Sequence, residues 1–282
     1  MGRIKEMRKK YLGTVLVLFV AVAMLFTGCG KATQGGSQNS DGEETIVVAM
    51  DMSYPPMEFV DENDQVTGFD VELAKAIGEK LGKKIELKNI AWDGIFIGLE
   101  TDRYDVIMSS VSMTPERLQN YEFTKPYLAN GQVIVTRPGD TGIKSVDDLK
   151  GKKVGVQTDT TADTACKKKL EEKGEDFFTI MRYDEIIQTF EAMSAGHIDY
   201  IVVDTVVATE YATKYPEKYQ VSTAEPLTNE PIAACFKKGN TALRDEFQKA
   251  LDELKKDGTL TKLSEKWLFG VDYTQNINEE LY

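Results

Sequence analysis

Short apolar runs alternate with stretches of helical spacing along residues 45–203, and this alternation restricts the fold more than any other feature of the chain. Runs at 45–50, 84–90 and 104–109 have the length of strands. Between the first two, Val71, Leu73, Ala74, Ile77 and Leu81 fall on one helical face. Asp70 stands where it can cap that helix and Gly82 where it can end it. Residues 92–100 make a shorter helix. A second cycle opens at 145–151, with strands at 153–157, 177–182 and 198–203 and helices at 163–173 and 185–195. Parallel neighbours need crossovers of about that length, so the pattern predicts an α/β chain of mainly parallel sheets flanked by helices. Two cycles in about 250 residues are two lobes of ordinary size.

The N-terminus speaks to compartment. Arg3, Lys5, Arg8, Lys9 and Lys10 precede 16 uncharged, mostly apolar residues, 11–26, and small residues then lead to Cys29. That stretch is short for a membrane span and reads as an export signal, with a retained anchor as the alternative. Phe26-Thr27-Gly28-Cys29 resembles a bacterial lipobox, although Phe26 stands where leucine is usual. The resemblance implies lipid on Cys29 and cleavage that removes residues 1–28. Residues 29–44 are polar and glycine-rich, a flexible tether. The removed segment holds five basic residues and one acid, so the formal charge falls from −12 to −16 on cleavage. So acidic a chain excludes nucleic acid as a natural partner. One histidine (His197) and two widely spaced internal cysteines, Cys166 and Cys235, give no support for a metal site or a Cys–His nucleophile. The cysteines read as separate, half-buried thiols, with an exported disulfide the alternative.

Ligands of open α/β sheets sit beyond the carboxyl ends of the strands. Asp51, Ser53 and Tyr54-Pro55-Pro56 follow the first strand. Ser109-Ser110-Val111-Ser112-Met113-Thr114-Pro115-Glu116-Arg117 follows the third. Gln157-Thr158-Asp159-Thr160-Thr161 and Asp204 follow strands of the second cycle, and Trp92 opens the helix after Ile90. Pro115 suits the first turn of a helix. Hydroxyls, amides and the Arg117 guanidinium then form a receptor for a carboxylate, or else the serines and Thr114 only cap the helix and Arg117 is solvated. The set has no nucleophile–base pair and no glycine-rich phosphate loop. Mixed charge with aromatic walls suits a small zwitterion.

Tyr54-Pro55-Pro56, Gly68-Phe69-Asp70-Val71-Glu72-Leu73-Ala74, Tyr104-Asp105-Val106-Ile107, Thr114-Pro115-Glu116-Arg117, Phe123-Thr124-Lys125-Pro126-Tyr127 and Gly131-Gln132-Val133-Ile134-Val135 occur in one order over residues 45–270. In this they resemble the polar-amino-acid-binding proteins of ABC importers, solute-binding family 3, with the type II periplasmic-binding fold. The likeness is greatest to basic amino acid and glutamine binders. It implies that Arg117, with Ser112 and the backbone at Thr161, takes the ligand carboxylate. Asp204, with Ser110 and Ser112, takes the ammonium. Tyr54 and Trp92 flank the ligand side chain, Asp51 faces its head, and Gln157, in a loop with Thr160, tunes specificity. Asp159 departs from the family, which usually has glycine there, and aspartate tolerates the left-handed turn better than most residues.

The resemblance further implies two hinge crossovers, near 127–131 and 229–232. One lobe would then comprise 45–128 plus 232–282, completed by a strand at 232–236 and helices at 243–256 and 260–268, and the other 131–228. The tail, 271–282, reads as polar and loosely held. The expected protein is a monomeric binder without cofactor or catalysis, lipid-anchored outside the cell membrane and delivering a polar, basic amino acid to permease subunits. Alternatives are a glutamine or cystine binder, a dehydratase-like enzyme, or a sensor domain on the same fold.

Overall fold

The computed structural model describes residues 44–275 and 277. The export signal, Cys29 and all of the tether except Glu44 lie outside the described residues. In chain order, β1 (Thr45–Met50) leads into a three-stranded hairpin layer, β2 (Ser53–Tyr54), β3 (Glu58–Val60) and β4 (Val66–Thr67). Then come α1 (Phe69–Leu81), β5 (Lys84–Asn89), α2 (Trp92–Glu100), β6 (Val106–Ile107), α3 (Pro115–Asn120) and β7 (Tyr121–Phe123). The chain continues through β8 (Gln132–Thr136), β9 (Lys153–Gln157), α4 (Thr161–Lys173), β10 (Thr179–Tyr183), α5 (Ile186–Ser194), β11 (Tyr200–Asp204), α6 (Thr205–Lys214) and β12 (Gln220–Val221). It ends with β13 (Cys235–Lys237), α7 (Thr241–Lys256) and α8 (Thr259–Trp267).

Two five-stranded sheets result, ordered β5-β1-β6-β13-β7 and β10-β9-β11-β8-β12. Each has a single reversed strand: β13 runs antiparallel to β6 and β7, and β8 antiparallel to β11 and β12. These are the strands that enter each sheet after a crossover. The crossovers run side by side, with Ile232 N–H on the Leu128 carbonyl and Glu230 N–H on the Asn130 carbonyl, both at 2.9 Å. At Gly131 a Cβ would lie 2.3 Å from the Thr228 carbonyl oxygen, so only glycine lets the strands approach this closely. The architecture is the two-lobed type II periplasmic-binding fold with two hinge crossovers.

Helix α1 shows how the sequence pattern becomes packing. Phe69, Val71, Leu73, Ala74 and Ile77 are buried with Val48 and Met50 of β1, at roughly 1.5–3 kcal/mol for each large side chain. Gly82, at φ 63°, ends the helix by donating to the Glu79 and Gly78 carbonyls. Asp70 does not cap it. Gly68 holds that position, and Asp70 points instead into the protein toward Ser110 and Tyr127.

Other boundaries move for local reasons. The strand expected at 104–109 narrows to Val106–Ile107, because the Tyr104 hydroxyl turns to the Ile95 carbonyl and the Asp105 carboxylate takes the Val47 amide. Helix α4 starts two residues early, at Thr161, where Thr160 accepts from the Asp163 amide. The strand expected at 177–182 shifts to Thr179–Tyr183, since Phe177 closes a turn on Gly174. Cys166 and Cys235 are free and fully buried rather than half-buried. The start of the tail is docked, not loose. Ala129 N–H donates to the Tyr273 carbonyl at 2.8 Å, Ser264 Oγ to the Val271 carbonyl at 2.9 Å, and Thr274 is buried.

Candidate functional site

All ten residues singled out in the sequence line one cavity, polar and apolar side chains together. The sheets bring them there. Asp51 follows β1, Trp92 opens α2 after β5, and Ser110, Ser112 and Arg117 follow β6. From the other sheet, Gln157 ends β9, Thr160 and Thr161 begin α4, and Asp204 ends β11. Tyr54 comes from the hairpin layer.

Arg117 and Asp204 form one polar group in the lining. Thr114 caps α3 through the Arg117 amide and Pro115 fills its first turn, which fixes where the arginine leaves the chain. Its guanidinium carbon lies 4.9 Å from the Phe96 ring and 5.4 Å from the Trp92 ring, and one nitrogen donates to the Ser112 carbonyl at 3.0 Å. Arg117 makes no ion pair among the described residues, so most of its five N–H donors have no protein acceptor. Burial pulls the guanidinium below its ordinary value, while the Cys235 thiol, Glu230 and Asp204 oppose the shift.

Asp204 is nearly saturated. Asn130 and Gln132 amides donate to Oδ1 at 2.7 and 2.6 Å, and the Tyr54 hydroxyl donates to Oδ2 at 2.9 Å. A carboxylate offers about four acceptor sites, which leaves one on Oδ2. Burial still raises its pKa to about 6 against these three hydrogen bonds. Gln132 reaches Asp204 because β8 runs reversed and places the two residues opposite each other in register.

Asp51 and Gln157 form a second buried polar group in the lining, bonded to each other rather than to Arg117 or Asp204. Gln157 Nε2 donates to Asp51 Oδ2 at 2.9 Å and to the Asp184 carbonyl at 3.1 Å. Two acceptors on the same side fix the amide orientation, since a flipped amide would set its oxygen against both. The Gln157 amide thus has only its oxygen left to offer. Ser53 also donates to Asp51, at 2.7 Å. This group therefore presents acceptors.

Along the walls, Trp92 is both core and lining. It packs with Ile95 and Leu99, and its indole donates to the Asp159 carbonyl at 3.2 Å. Asp159 holds the left-handed conformation expected of it, at φ 56°. Thr161 Oγ1 accepts from Gln132 at 3.0 Å, and Thr160 Oγ1 donates to the Gln157 carbonyl at 2.8 Å. Ser112 is paired with Ile232 of the return crossover. Ser110 Oγ is buried and has no hydrogen-bond partner among the described residues. Sequence reasoning missed Asn130 and Gln132, which read as a crossover and an ordinary strand start, and missed Ala162, Ile186, Val202 and Val203 in the lining. Only the register of the reversed strand could have found Gln132.

The fold and the cavity between the two sheets define a class, the two-lobed binding protein that encloses a small polar solute. Residues 46–271 match the bacterial extracellular solute-binding proteins, family 3, and the chain belongs to that family. It is 33% identical over 268 residues to a probable amino-acid ABC transporter-binding protein of Haemophilus influenzae, covering 95% of this chain and all of that one. It is 33% identical over 273 residues to the L-cystine-binding protein TcyJ of Escherichia coli, again covering 95% and 100%. Among solved structures it resembles an ancestral arginine-binding protein bound to arginine, with TM-score 0.75 and 38% identity over 80% of this chain and 98% of that one.

Proposed function

We propose that this protein binds a polar L-amino acid with a donor-rich head, arginine or lysine ahead of glutamine, and delivers it to an ABC importer. The observation that carries the reading is the pairing of Arg117, whose donors are largely unmatched, with Asp204, which keeps one acceptor site free. An α-carboxylate and an α-ammonium complement that pair. The second group, the Asp51 carboxylate and the Gln157 oxygen, would accept from a guanidinium, ammonium or amide and would repel a carboxylate. Tyr54 and Trp92 would flank the aliphatic stem. Thr160, Thr161, Ser110 and Ser112 would complete the hydrogen bonding. The amino-acid-binding relatives support a binder rather than an enzyme, and the cavity offers no nucleophile with a base. Cystine is the second reading, supported by the cystine-binding relative. Its distal ammonium would suit Asp51, but its distal carboxylate would not.

In this reading residues 45–128 with 232–282 form one lobe and 131–228 the other, closing as a monomer about the two crossovers. Residues 1–28 are a signal peptide, 29–44 a tether, and lipid on Cys29 holds the protein at the outer face of the membrane beside its permease. An unmodified Cys29 in the intact mass of the membrane-bound protein would overturn the anchor. For the ligand, calorimetric titration with arginine, lysine, glutamine, cystine and glutamate decides. Arginine or lysine should bind tightest and glutamate not at all, and Arg117→Ala should weaken the best ligand by roughly 2–5 kcal/mol. Tight glutamate binding, or an Arg117→Ala variant of normal affinity, would sink the assignment.

A further inference from the structure

Behind the serine turn, outside the cavity lining, lies a cluster of acids. Glu58 on β3 and Asp70 in the first turn of α1 are both fully buried. Glu58 Oε1 accepts from Ser109 Oγ at 2.7 Å, and that oxygen in turn accepts the Asp51 amide at 2.9 Å. Asp70 accepts the Ser110 amide at 2.8 Å and the Tyr127 hydroxyl at 2.7 Å, so the two buried acids hold consecutive residues, Ser109 and Ser110, and each acts electrostatically on the other. Glu58 Oε2 is buried and meets no donor among the described residues. The groups acting electrostatically on Glu58 are Asp70, Asp51 and Asp204, all acids, with the phenols of Tyr54 and Tyr127 nearby. Neither carboxyl forms an ion pair among the described residues.

Two carboxyls buried side by side on consecutive residues of one turn, with no cation among the described residues to balance them, are held most stably when one carries a proton that it donates to the other. The free Glu58 Oε2 is the atom placed to carry it. We propose that Glu58 and Asp70 share one proton, and that this pair is a positioning element for ligand binding. It sets the Ser109–Ser110 turn, and through it Ser110 Oγ and the backbone at Asp51. Ser110 sits at φ 48°, a left-handed conformation that a serine adopts only under constraint, and the constraint is its amide bond to Asp70. From the Glu58 side, Ser109 ties the pair to the first residue after β1. The serine turn and Asp51 thus hang from one shared proton. Burial pushes both acids up, Asp70 to about 6 and Glu58 well above its ordinary range, in keeping with a proton retained at neutral pH.

This inference rests on the amino-acid-binding reading for its ligand readout but not for its proton. Glu58→Gln mimics the protonated acid, since Nε2 can donate to Asp70 while Oε1 accepts from Ser109. With L-arginine as the probe, Glu58→Gln should bind within about threefold of the parent at pH 7. The affinity of the parent relative to this variant should then fall about tenfold or more as pH rises to 9.5, as the shared proton is lost. Titration of arginine itself is common to both proteins and cancels. Glu58→Ala, which cannot bridge the pair, should lose about tenfold or more at every pH. Infrared spectroscopy of the ligand-free proteins supplies the independent reading. The parent should show a protonated-carboxyl band at neutral pH that Glu58→Gln lacks. A missing band, or parallel pH profiles for parent and Glu58→Gln, would overturn the shared proton. Should no amino acid bind the parent, the function above fails while the band still decides the pair.

Discussion

The cavity is bordered by two turns built to the same plan and stabilised by opposite chemistry. In the serine turn after β6, Ser110 is left-handed at φ 48° and its amide is held by Asp70 from the first turn of α1. In the threonine turn after β9, Asp159 is left-handed at φ 56° and its amide faces Asp163 from the first turn of α4, at 3.4 Å. Asp163, however, receives Arg182 through three contacts of 2.9–3.0 Å and Lys167 at 2.9 Å. Asp70 receives no cation among the described residues. Burial pushes both acids up, but the cations outweigh it at Asp163, which ends below its ordinary value, and nothing comparable does so at Asp70. A buried aspartate can thus hold a strained turn either by an ion pair reaching the surface or by neutral hydrogen bonds in a dry core.

Truncating each aspartate should give the largest effect and could break the comparison outright. Asp70→Ala leaves the Ser110 amide and the Tyr127 hydroxyl without a partner in a dry core and takes from Glu58 its neighbouring acid, a cost of roughly 3–5 kcal/mol. Asp163→Ala frees Arg182 and Lys167, whose side chains are 40% and 46% exposed and can hydrate in place. Its cost should be only about 1–2 kcal/mol. Urea denaturation of the two variants measures both. Equal losses would mean that the cations contribute no more exposure-dependent relief than the neutral partners do.

The two acids also mark how far the sequence could be read. Alternation of strands and helices was legible because it is local, and the loop residues around the cavity followed from the strand ends. Asp70 was not legible, because an acid near a helix start reads as a cap, and its real partners lie 40 and 57 residues away. Glu58 gave no signal at all, as it sits in a three-residue strand whose inward face is visible only once Ser109 and Asp70 are in place. Gln132 was hidden in the same way by strand register. The docked start of the tail escaped because a backbone carbonyl, that of Tyr273, makes the contact to Ala129.

Asp204 tests whether a cation-free aspartate belongs to one turn or to the cavity as a whole, since it ends β11 of the other sheet and also makes no ion pair among the described residues. With its pKa raised to about 6 by burial, the folded protein binds this proton more readily than the unfolded chain does. Its ionisation therefore lowers stability as pH rises from about 4 to 6, and the penalty is complete above that. Asp204→Asn removes the charge, keeps an oxygen for Asn130 and Gln132, and offers Tyr54 an amide. At pH 7 the ligand-free variant should be more stable by about 1–3 kcal/mol, with the gap closing as pH falls below 6, and its amino-acid binding should be lost. Asp163 has the opposite sign, its contribution being present at neutral pH and lost as pH falls through its lowered value. Thermal melts of parent and Asp204→Asn between pH 4 and 8 supply the check, and a pH-independent gap would remove Asp204 from the pattern.

The smallest effect separates what the two turns give the cavity. Glycine relieves the left-handed strain at either position by roughly 1–2 kcal/mol and returns about 0.5–1 kcal/mol in unfolded-chain entropy. The stability changes should therefore be slight in both variants. Function should divide them. Asp159 sends its side chain outward, 67% exposed and 3.9 Å from Lys167, and only its carbonyl meets Trp92. Asp159→Gly keeps that carbonyl and should leave ligand affinity within about twofold of the parent. Ser110→Gly also keeps the backbone bond to Asp70, but it deletes a buried hydroxyl that lines the cavity with no partner among the described residues. Losing one neutral hydrogen bond of about 0.5–1.5 kcal/mol should weaken the ligand two- to tenfold. Paired melts and titrations measure both quantities. Weaker binding in Asp159→Gly than in Ser110→Gly would reverse the assignment, making the threonine turn the one that acts through its side chain.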